Sequence, residues 1–359
     1  MGFKPRALRV GFVPLTDCAP LIMAQATGAF ARHGLVVKLQ RELGWATIRD
    51  KIIYRELDAA HAVAGMPFAV SLGLGSIRCD CLTGLVLSLQ GNAITLATAL
   101  RRDGVEDAAS LRQLIIRQRR SRTFTFGVAF PFSSHNFLLR QWLLSGGIQP
   151  DRDVQIVVVP PPQMFKNLQA GNLDGYCVGE PWNSIAVQSG LGFCVATSAS
   201  LAPRHPEKVL LVRQDFAESR PEEHLALIAA LLEACAYCAA PENAEHVIRT
   251  LAGRDYLNAP VKALAPSLRG SFATGAGGSV TSEPFHIFNG DEANEPSADK
   301  AVWILRQLAL TGALIDRPAT QSSLIQNAFR PDIFQQALQI AKSKSYEKPA
   351  SAPDPSLAI

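Results

Sequence analysis

Strand-like and helical segments alternate from the beginning of the chain to Thr197, and this alternation limits the fold more than any other feature. Short apolar runs typical of buried strands are followed by longer segments whose apolar residues recur at helical spacing. Repeated strand–helix–strand units favour a sheet of parallel strands covered by helices on both faces. The sequence therefore predicts an α/β fold.

A polar, charged stretch from Arg101 to Arg122 interrupts the alternation and divides it into two units. In the first unit the patterns predict strands at 8–15, 35–40, 59–64 and 82–89, and helices at 19–31, 46–55 and 67–74. In the second unit they predict strands at 123–129, 154–159, 175–178 and 192–197, and helices at 135–145, 162–170 and 180–189. One more strand, 208–213, precedes a block with predicted helices at 221–239, 244–251, 298–311 and 321–341.

The length of the chain suits two domains, because 359 residues of which 48% are hydrophobic can bury two cores. The helical block has no sheet of its own, so we expect it to return and pack on the first unit. Residues 1–98 with 208–341 then form one lobe, residues 99–207 the other, and residues 342–359 a disordered tail. Two chain crossings between lobes predict a ligand cleft with hinges.

The overall charge argues against a nucleic-acid-binding chain. Lysine and arginine number 35 against 31 acidic residues, a formal net charge of +4. The one basic run, Arg117 to Arg122, is typical of a solvated helix end. We therefore expect no direct contact with nucleic acid.

The N-terminal segment does not have the pattern of a secretory signal, because Arg9 and Pro14 bracket its only apolar run. No uncharged apolar stretch reaches the roughly 18 residues that a spanning helix needs, so we expect no membrane insertion. Seven cysteines without a framework spacing suit reduced thiols. Together these features predict a cytoplasmic location.

Ser134 and His135 follow the predicted strand 123–129 at the start of a helix. Ligands of α/β proteins bind where strands end, and the first N–H groups of a helix favour an anion. His135 in the first turn is able to donate to the same anion. The alternative is that these polar residues only cap the helix.

Three further residues lie near the predicted cleft. Lys208, at the second crossing, is able to reach a ligand as a point charge, although a lysine at a strand start is usually exposed. Trp45 offers an apolar wall and an indole N–H, or packs in an ordinary interface. Asn92 has an amide that can donate to an anion, but Gly91-Asn92 is also a common turn sequence.

Glu180 joins the short strand 175–178 to the next predicted helix. Its carboxylate would repel an anion, so we expect it to orient Lys208 or His135, or to accept a proton from a ligand that carries one. The alternative is an acidic residue favoured by the helix dipole.

The sequence contains no pattern typical of catalysis. It has no Gly-x-Ser-x-Gly elbow, no HExxH motif and no Cys/His cluster with metal-ligand spacing. The stretch Gly275–Ser279 lacks the Lys-Ser/Thr of a phosphate-binding loop. Cys235 and Cys238 have CxxC spacing, but they lie inside a predicted helix, where core packing is favoured. We predict a binding protein without a metal or cofactor rather than an enzyme.

Several motifs, taken in order, resemble a single family. They are Val-Gly-Phe-Val-Pro-Leu-Thr-Asp-Cys-Ala-Pro-Leu at 10–21, Gly44-Trp45 with Arg49-Asp50, Ala60-His61 with Met66-Pro67, Ser134-His135-Asn136, and His205-Pro206-Glu207-Lys208. The most specific is the block from Pro-Pro-Pro-Gln-Met at 160–164 through Asp-Gly-Tyr-Cys-Val-Gly-Glu-Pro-Trp-Asn at 174–183. Over most of its length the chain resembles the NrtA/CmpA family of nitrate- and bicarbonate-binding receptors of ABC uptake systems.

This resemblance implies a two-lobed, periplasmic-binding-protein-like type II fold with a ligand cleft between lobes that closes on an oxyanion. It also implies that Trp45, His135 and Lys208 match positions that contact nitrate in the nitrate-binding members. Asn92 falls where those receptors have a glutamine, so its amide reaches less far. Because nitrate has no proton to donate, a selective pocket is expected to offer hydrogen-bond donors only.

The chain departs from the transport receptors in two respects, the missing export signal with its lipid-anchor cysteine and a shorter connection at 147–153. It looks most like the cytosolic branch of the family, the nitrate/nitrite sensor NasS. That resemblance implies an RNA-binding antiterminator partner of the NasT type, released when ligand binds. The alternative is the substrate-binding component of an ABC uptake system for nitrate or for bicarbonate, the latter using Glu180 or a bound Ca²⁺. A remote alternative is a thiamine-pyrimidine synthase, whose cysteine-rich iron segment does not occur in this sequence.

Overall fold

The computed structural model describes residues 6–275, 279–280, 284–290, 292–314 and 318–345. The strands are β1 (Leu8–Phe12), β2 (Val37–Arg41), β3 (Ala59–Val63), β4 (Cys81–Leu82), β5 (Val86–Gln90), β6 (Asn92–Ala97), β7 (Thr125–Val128), β8 (Gln155–Val158), β9 (Gly175–Gly179), β10 (Gly192–Thr197), β11 (Pro206–Arg213), β12 (Phe272–Ala273), β13 (Ser279–Val280) and β14 (His286–Ile287). The helices are α1 (Ala19–Ala26), α2 (Ala29–Arg32), α3 (Trp45–Ile53), α4 (Met66–Ser71), α5 (Thr98–Arg102), α6 (Ala108–Gln118), α7 (Ser134–Ser145), α8 (Pro161–Gln169), α9 (Trp182–Gln188), α10 (Ser198–Leu201), α11 (Gln214–Ser219), α12 (Pro221–Ala239), α13 (Ala244–Leu251), α14 (Val261–Arg269), α15 (Ala298–Leu310), α16 (Pro318–Ala328) and α17 (Pro331–Ser345).

The strands form two main sheets, one in each of two lobes. The first has the order β14-β5-β11-β3-β1-β2, with β4 paired to β11, and the second has the order β10-β6-β9-β7-β8. A separate ribbon pairs β12 with β13. Helices cover both sheets, so the predicted α/β class is confirmed.

Both sheets are mixed rather than wholly parallel, which corrects the parallel arrangement that the alternation predicts. β1 runs parallel to β2 and β3, and β7 runs parallel to β8 and β9. In contrast, β11 is antiparallel to β3 and β5, and β6 is antiparallel to β9 and β10. The chain enters the second lobe on β6 and returns to the first lobe on β11. No crossover helix within the same sheet precedes them, so their direction is not restricted to parallel.

The first crossing lies at residues 90–92 rather than near Thr98. Because β6 belongs to the second sheet, the boundary predicted at 98/99 is wrong, and Ile94 and Leu96 of β6 belong to the second core. Gln90 and Gly91 have φ angles of 60° and 102°, and a Cβ on Gly91 would lie 2.3 Å from the ring Nδ1 of His286. This sharp turn with a close ring contact requires glycine.

The C-terminal block spans both lobes. Helix α12 packs on α1 and on α17 in the first lobe. Helix α14, however, contacts α9 of the second lobe, and the carbonyl of Thr274 accepts a hydrogen bond from the N–H of Cys194 at 2.8 Å. Residues 342–345 continue α17, so the tail predicted from 342 begins too early. Residues 346–359 lie outside the described part of the chain.

The charged stretch between Arg101 and Arg122 contains α6, a helix that the sequence patterns missed. Asp107 caps it through a hydrogen bond to the N–H of Ser110 at 2.8 Å. Among the described residues no single helix is long and apolar enough to cross a membrane, and only the pair 221–239 and 241–251, bent by 86°, meets the length and composition criteria together.

Candidate functional site

The two lobes meet around a buried polar cleft. The N–H of Thr16 in the first lobe donates to the carbonyl of Glu180 in the second at 2.8 Å. A Cβ on Gly65 would lie 2.3 Å from the backbone oxygen of Phe132, so these backbones touch across the cleft. The cleft residues Asp17, His61, Asn92, His135, Glu207 and Lys208 are each 0% exposed. The structure is therefore that of a closed cleft with a polar centre.

Lys208 lies at the centre of this cleft, but it is not a free cation. Its Nζ is 2.7 Å from Asp17 Oδ2 and 2.5 Å from Glu207 Oε1, and it lies 5.1 Å from the centre of the Trp45 ring. Burial would lower the pKa of Lys208, but the two carboxylates outweigh that effect and raise it. The lysine is therefore charged and already paired, and its role toward an anion stays a prediction.

A break in the sheet register places two consecutive residues in the cleft. Side chains normally alternate between the faces of a strand, so Glu207 and Lys208 would point in opposite directions. The pairing of β11 with β5 shifts on both sides of Lys208, as in a β-bulge. Such irregularities change the direction of side chains, which explains how both reach the same polar centre.

Glu207 is the acceptor on which most of the predicted donors converge. Its Oε2 accepts from Asn92 Nδ2 at 2.6 Å, from His205 Nε2 at 3.0 Å and from the Ser134 hydroxyl, and its Oε1 faces Lys208. Burial alone would raise the pKa of Glu207, but Lys208 and its other partners hold it well below the usual range. An ionised carboxylate therefore stands where the sequence predicts donors alone.

Asp17 forms the second acidic part of the cleft. Its Oδ1 lies 2.9 Å from His61 Nε2, and its Oδ2 faces Lys208. Burial would raise the pKa of Asp17, yet Lys208 and His61 hold it well below its ordinary value. Burial also lowers the pKa of His61, which therefore serves as a neutral donor to the carboxylate.

His135 and Trp45 provide polar atoms that have no partner among the described residues. The two rings are 5.4 Å apart between centroids, and Trp45 is 1% exposed. The indole Nε1 and both ring nitrogens of His135 lack hydrogen bonds, although His135 Nε2 lies 3.6 Å from Glu207 Oε1. Burial lowers the pKa of His135 to about 4, so the ring is neutral at neutral pH.

The start of α7 explains why Ser134 and His135 enter the cleft. Ser133 is the N-cap, and its hydroxyl accepts a hydrogen bond from the N–H of Asn136 at 3.4 Å. Ser133 therefore caps the helix, and the side chains of Ser134 and His135 are available to the cleft. The alternative role of a simple cap applies to neither Ser134 nor His135.

Glu180 does not join this cluster. Its carboxylate accepts hydrogen bonds from the N–H of Ser184 at 3.3 Å, in the first turn of α9, and burial raises its pKa to about 7. The expectation that Glu180 orients Lys208 or His135 is therefore wrong. The local reason is that the side chain turns back to the N-terminus of the helix that follows it, as the alternative interpretation held.

The sequence patterns missed the acidic residues Asp17 and Glu207 and the histidines His61 and His205. Asp17 follows the end of β1, a position that the strand-end rule would have selected. His61 stands alone among small apolar residues in β3. Within the described residues no group of three or more His, Cys, Asp or Glu side chains is arranged to hold a metal ion.

Two lobes joined by chain crossings meet over a buried polar cleft, an arrangement typical of folds that close on a small ligand. A crystal structure of the periplasmic nitrate-binding protein NrtA from Synechocystis PCC 6803 superposes with a TM-score of 0.89 at 27% identity, covering 97% of this chain and 92% of that one. The predicted periplasmic-binding-protein-like fold is thus confirmed.

The NMT1-like family model matches residues 2–252. The chain belongs to this family and, within it, to the NrtA/CmpA type of nitrate- and bicarbonate-binding proteins.

Two relatives from Synechocystis sp. PCC 6803 are more similar in sequence. The nitrate import ATP-binding protein NrtC is 41% identical over 339 residues, and the bicarbonate transport ATP-binding protein CmpC is 40% identical over 341 residues. Each match covers 94% of this chain but only 50% of the relative. The chain therefore spans about half the length of these ATP-binding relatives.

Proposed function

We propose that this chain is a cytoplasmic sensor of nitrate or nitrite that controls an RNA-binding antiterminator protein of the NasT type. Ligand closes the two lobes, and closure releases the partner. The chain acts by binding and carries out no reaction. The observation that carries the proposal is the closed cleft in which buried donors of Trp45 and His135 have no protein partner.

The chemistry of these groups suits a small planar oxyanion. Nitrate accepts hydrogen bonds through three oxygens, and the indole N–H of Trp45 and an N–H of His135 are donors without an acceptor. A buried donor without a partner is costly, so an acceptor that enters the cleft recovers that cost. Exclusion of water then strengthens each bond through the lower effective dielectric.

Bicarbonate is the second candidate ligand, because one acceptor in the cleft also has no partner. Asn92 Oδ1 lacks a hydrogen bond among the described residues and is able to accept the O–H of bicarbonate. In this proposal Asn92 takes the acceptor role that the sequence analysis gave to Glu180. The carboxylate of Glu180 is instead hydrogen-bonded to the helix that follows it. The near-equal identity to a nitrate and a bicarbonate importer subunit gives no preference.

The proposed cytoplasmic location is supported by the pattern of similarity. The chain is 41% identical to half of an ATP-binding import protein and 27% identical to the periplasmic nitrate-binding protein of the same organism. ATP is an intracellular ligand, so a related module within an ATP-binding protein supports a ligand sensor on the cytoplasmic side. The alternative is a substrate-binding component of an ABC uptake system.

Control of a partner by closure follows from linkage. A ligand shifts the open–closed equilibrium only by its different affinity for the two forms, about 1.4 kcal/mol for each tenfold ratio. If the partner protein binds the open form, nitrate weakens binding of the partner, and the partner weakens binding of nitrate by the same factor. Nitrate binding and partner binding are therefore expected to oppose each other.

Two measurements test the proposal. Titration calorimetry with nitrate, nitrite and bicarbonate identifies the ligand, and heat from bicarbonate alone would exclude the nitrate sensor. Co-purification with an antiterminator-type RNA-binding protein, with and without millimolar nitrate, tests the partner. We expect association that nitrate disrupts, whereas no association in either condition, together with recovery of the native protein from the periplasm, would favour the uptake component.

A further inference from the structure

The positive charge of Lys208 in the cleft is already paired with carboxylates without a ligand. Asp17 and Glu207 each carry a negative charge, and Lys208 carries a positive one. His205 lies beside this group, with its Nδ1 2.8 Å from the carbonyl of Ala202 and its Nε2 3.0 Å from Glu207. The lysine of the cleft therefore offers an anion no positive charge that is not already paired with a carboxylate.

A monovalent anion that enters this enclosed cleft adds one uncompensated negative charge. Isolated charges are very costly to bury, and proteins usually avoid the cost by a change of protonation. His135 is the group in the best position for that change. Its ring is fully buried, its Nε2 is 3.6 Å from Glu207 Oε1, and neither nitrogen has a hydrogen-bond partner among the described residues.

We propose that the cleft takes up one proton with each monovalent oxyanion that it encloses, and that His135 is the residue that receives this proton. The inference rests on the proposed nitrate-binding function and specifies the protonation state in which the cleft binds the anion. The proton comes from bulk water before or during closure. It converts the neutral imidazole of His135 to an imidazolium, whose positive charge offsets the negative charge that the anion brings.

The groups that face His135 explain why it gains a proton only with ligand. Glu207 favours the charged ring, Asp17 does so more weakly, and Lys208 and His205 oppose it. Burial opposes it most strongly, and in the ligand-free cleft the pKa of His135 is held near 4. An anion that adds a negative charge beside the ring reverses this balance.

The proton count is measured by calorimetric titration of the wild-type protein with sodium nitrate, in buffers of similar pH but different ionisation enthalpy. Nitrate itself does not titrate in this range, so any buffer-dependent heat reports protons exchanged by the protein. We expect uptake of about one proton per nitrate near pH 7 and a Kd that rises about tenfold for each pH unit between roughly pH 6 and pH 8.

Two variants locate the proton. His135→Gln is expected to abolish proton uptake and to make the Kd, although weaker at pH 6, nearly independent of pH. His224→Gln is the matched control, because His224 is also buried with its pKa lowered to about 4 but lies on α12, outside the cleft. It is expected to retain the uptake. Ring NMR signals of the seven histidines then show directly whether the His135 imidazole becomes protonated on nitrate addition.

The outcomes separate this inference from the function on which it rests. Nitrate binding with no proton exchange would overturn the inference and leave the nitrate sensor standing. Uptake of a proton that persists in His135→Gln, or an NMR shift at another histidine, would overturn the assignment to His135. Absence of nitrate binding to the folded wild-type protein would overturn both.

Discussion

Replacement of Lys208 by methionine should destabilise the protein strongly, because it leaves two buried carboxylates without their cation. Lys208 is 0% exposed and lies 2.7 Å from Asp17 and 2.5 Å from Glu207. Removal of one partner from a buried ion pair typically costs about 3–5 kcal/mol. With an m-value of about 3 kcal/mol per M, the urea midpoint should fall by about 1–1.7 M.

The pH dependence of this loss identifies its cause. In the wild type the pKa values of Asp17 and Glu207 are lowered, so the unfolded chain binds more protons and stability falls as pH drops through their ordinary values. Without Lys208, burial should raise both pKa values, and the folded variant should then bind more protons than its unfolded chain. The stability difference between wild type and variant should therefore shrink from about pH 7 to about pH 5.

The assay is urea denaturation followed by circular dichroism at both pH values, with Lys51→Met as the control. Lys51 Nζ is 2.8 Å from Glu42 Oε1, a comparable distance, but its side chain is 31% exposed. A partly exposed pair contributes about 0–1 kcal/mol, so this control should shift the midpoint little. Equal losses for the two variants, or a loss for Lys208→Met that is the same at both pH values, would refute the buried ion cluster.

Three further predictions concern the cleft and its hinge. Trp45→Phe keeps the apolar wall but removes an indole N–H that has no partner among the described residues, so nitrate affinity measured by calorimetry should fall at least about tenfold. Unchanged affinity would exclude Trp45 as a hydrogen-bond donor to nitrate. Gly91→Ala adds a Cβ 2.3 Å from the ring Nδ1 of His286 at a residue whose φ is 102°, so the free energy of unfolding should fall by about 1–3 kcal/mol. An unchanged urea midpoint would contradict the close contact. Because burial raises the pKa of Glu180 from 4.5 to about 7, the folded wild type loses stability as pH rises through that interval. The stability of Glu180→Gln relative to wild type should therefore increase as pH rises across the same interval. A stability difference that does not change with pH would show that Glu180 does not titrate there.

The elements of the fold were largely predictable because their signals are local. Apolar runs marked the strands of both lobes, and Ser134 and His135 marked the start of α7. Strand direction was not predictable in this way, because the antiparallel pairing of β6 and β11 depends on where the chain passes between lobes. The same cause explains the misplaced boundary, since β6 is apolar in either sheet.

The amino-acid sequence alone made Trp45, Asn92, Ser134, His135 and Lys208 candidates for one cleft, because each stands near the beginning or the end of a predicted strand or helix. What those side chains contact follows from the tertiary structure and not from the sequence pattern. Glu207 meets Ser134 and Asn92 from 73 and 115 residues away, and Asp17 meets His61 from 44 residues away. The contacts of Glu207 depend on lobe closure and on an irregularity in β11, and the contact of Asp17 depends on the pairing of β1 with β3. None of these leaves a periodic pattern along the chain. The pairing of charges in the cleft is therefore a property of the closed fold.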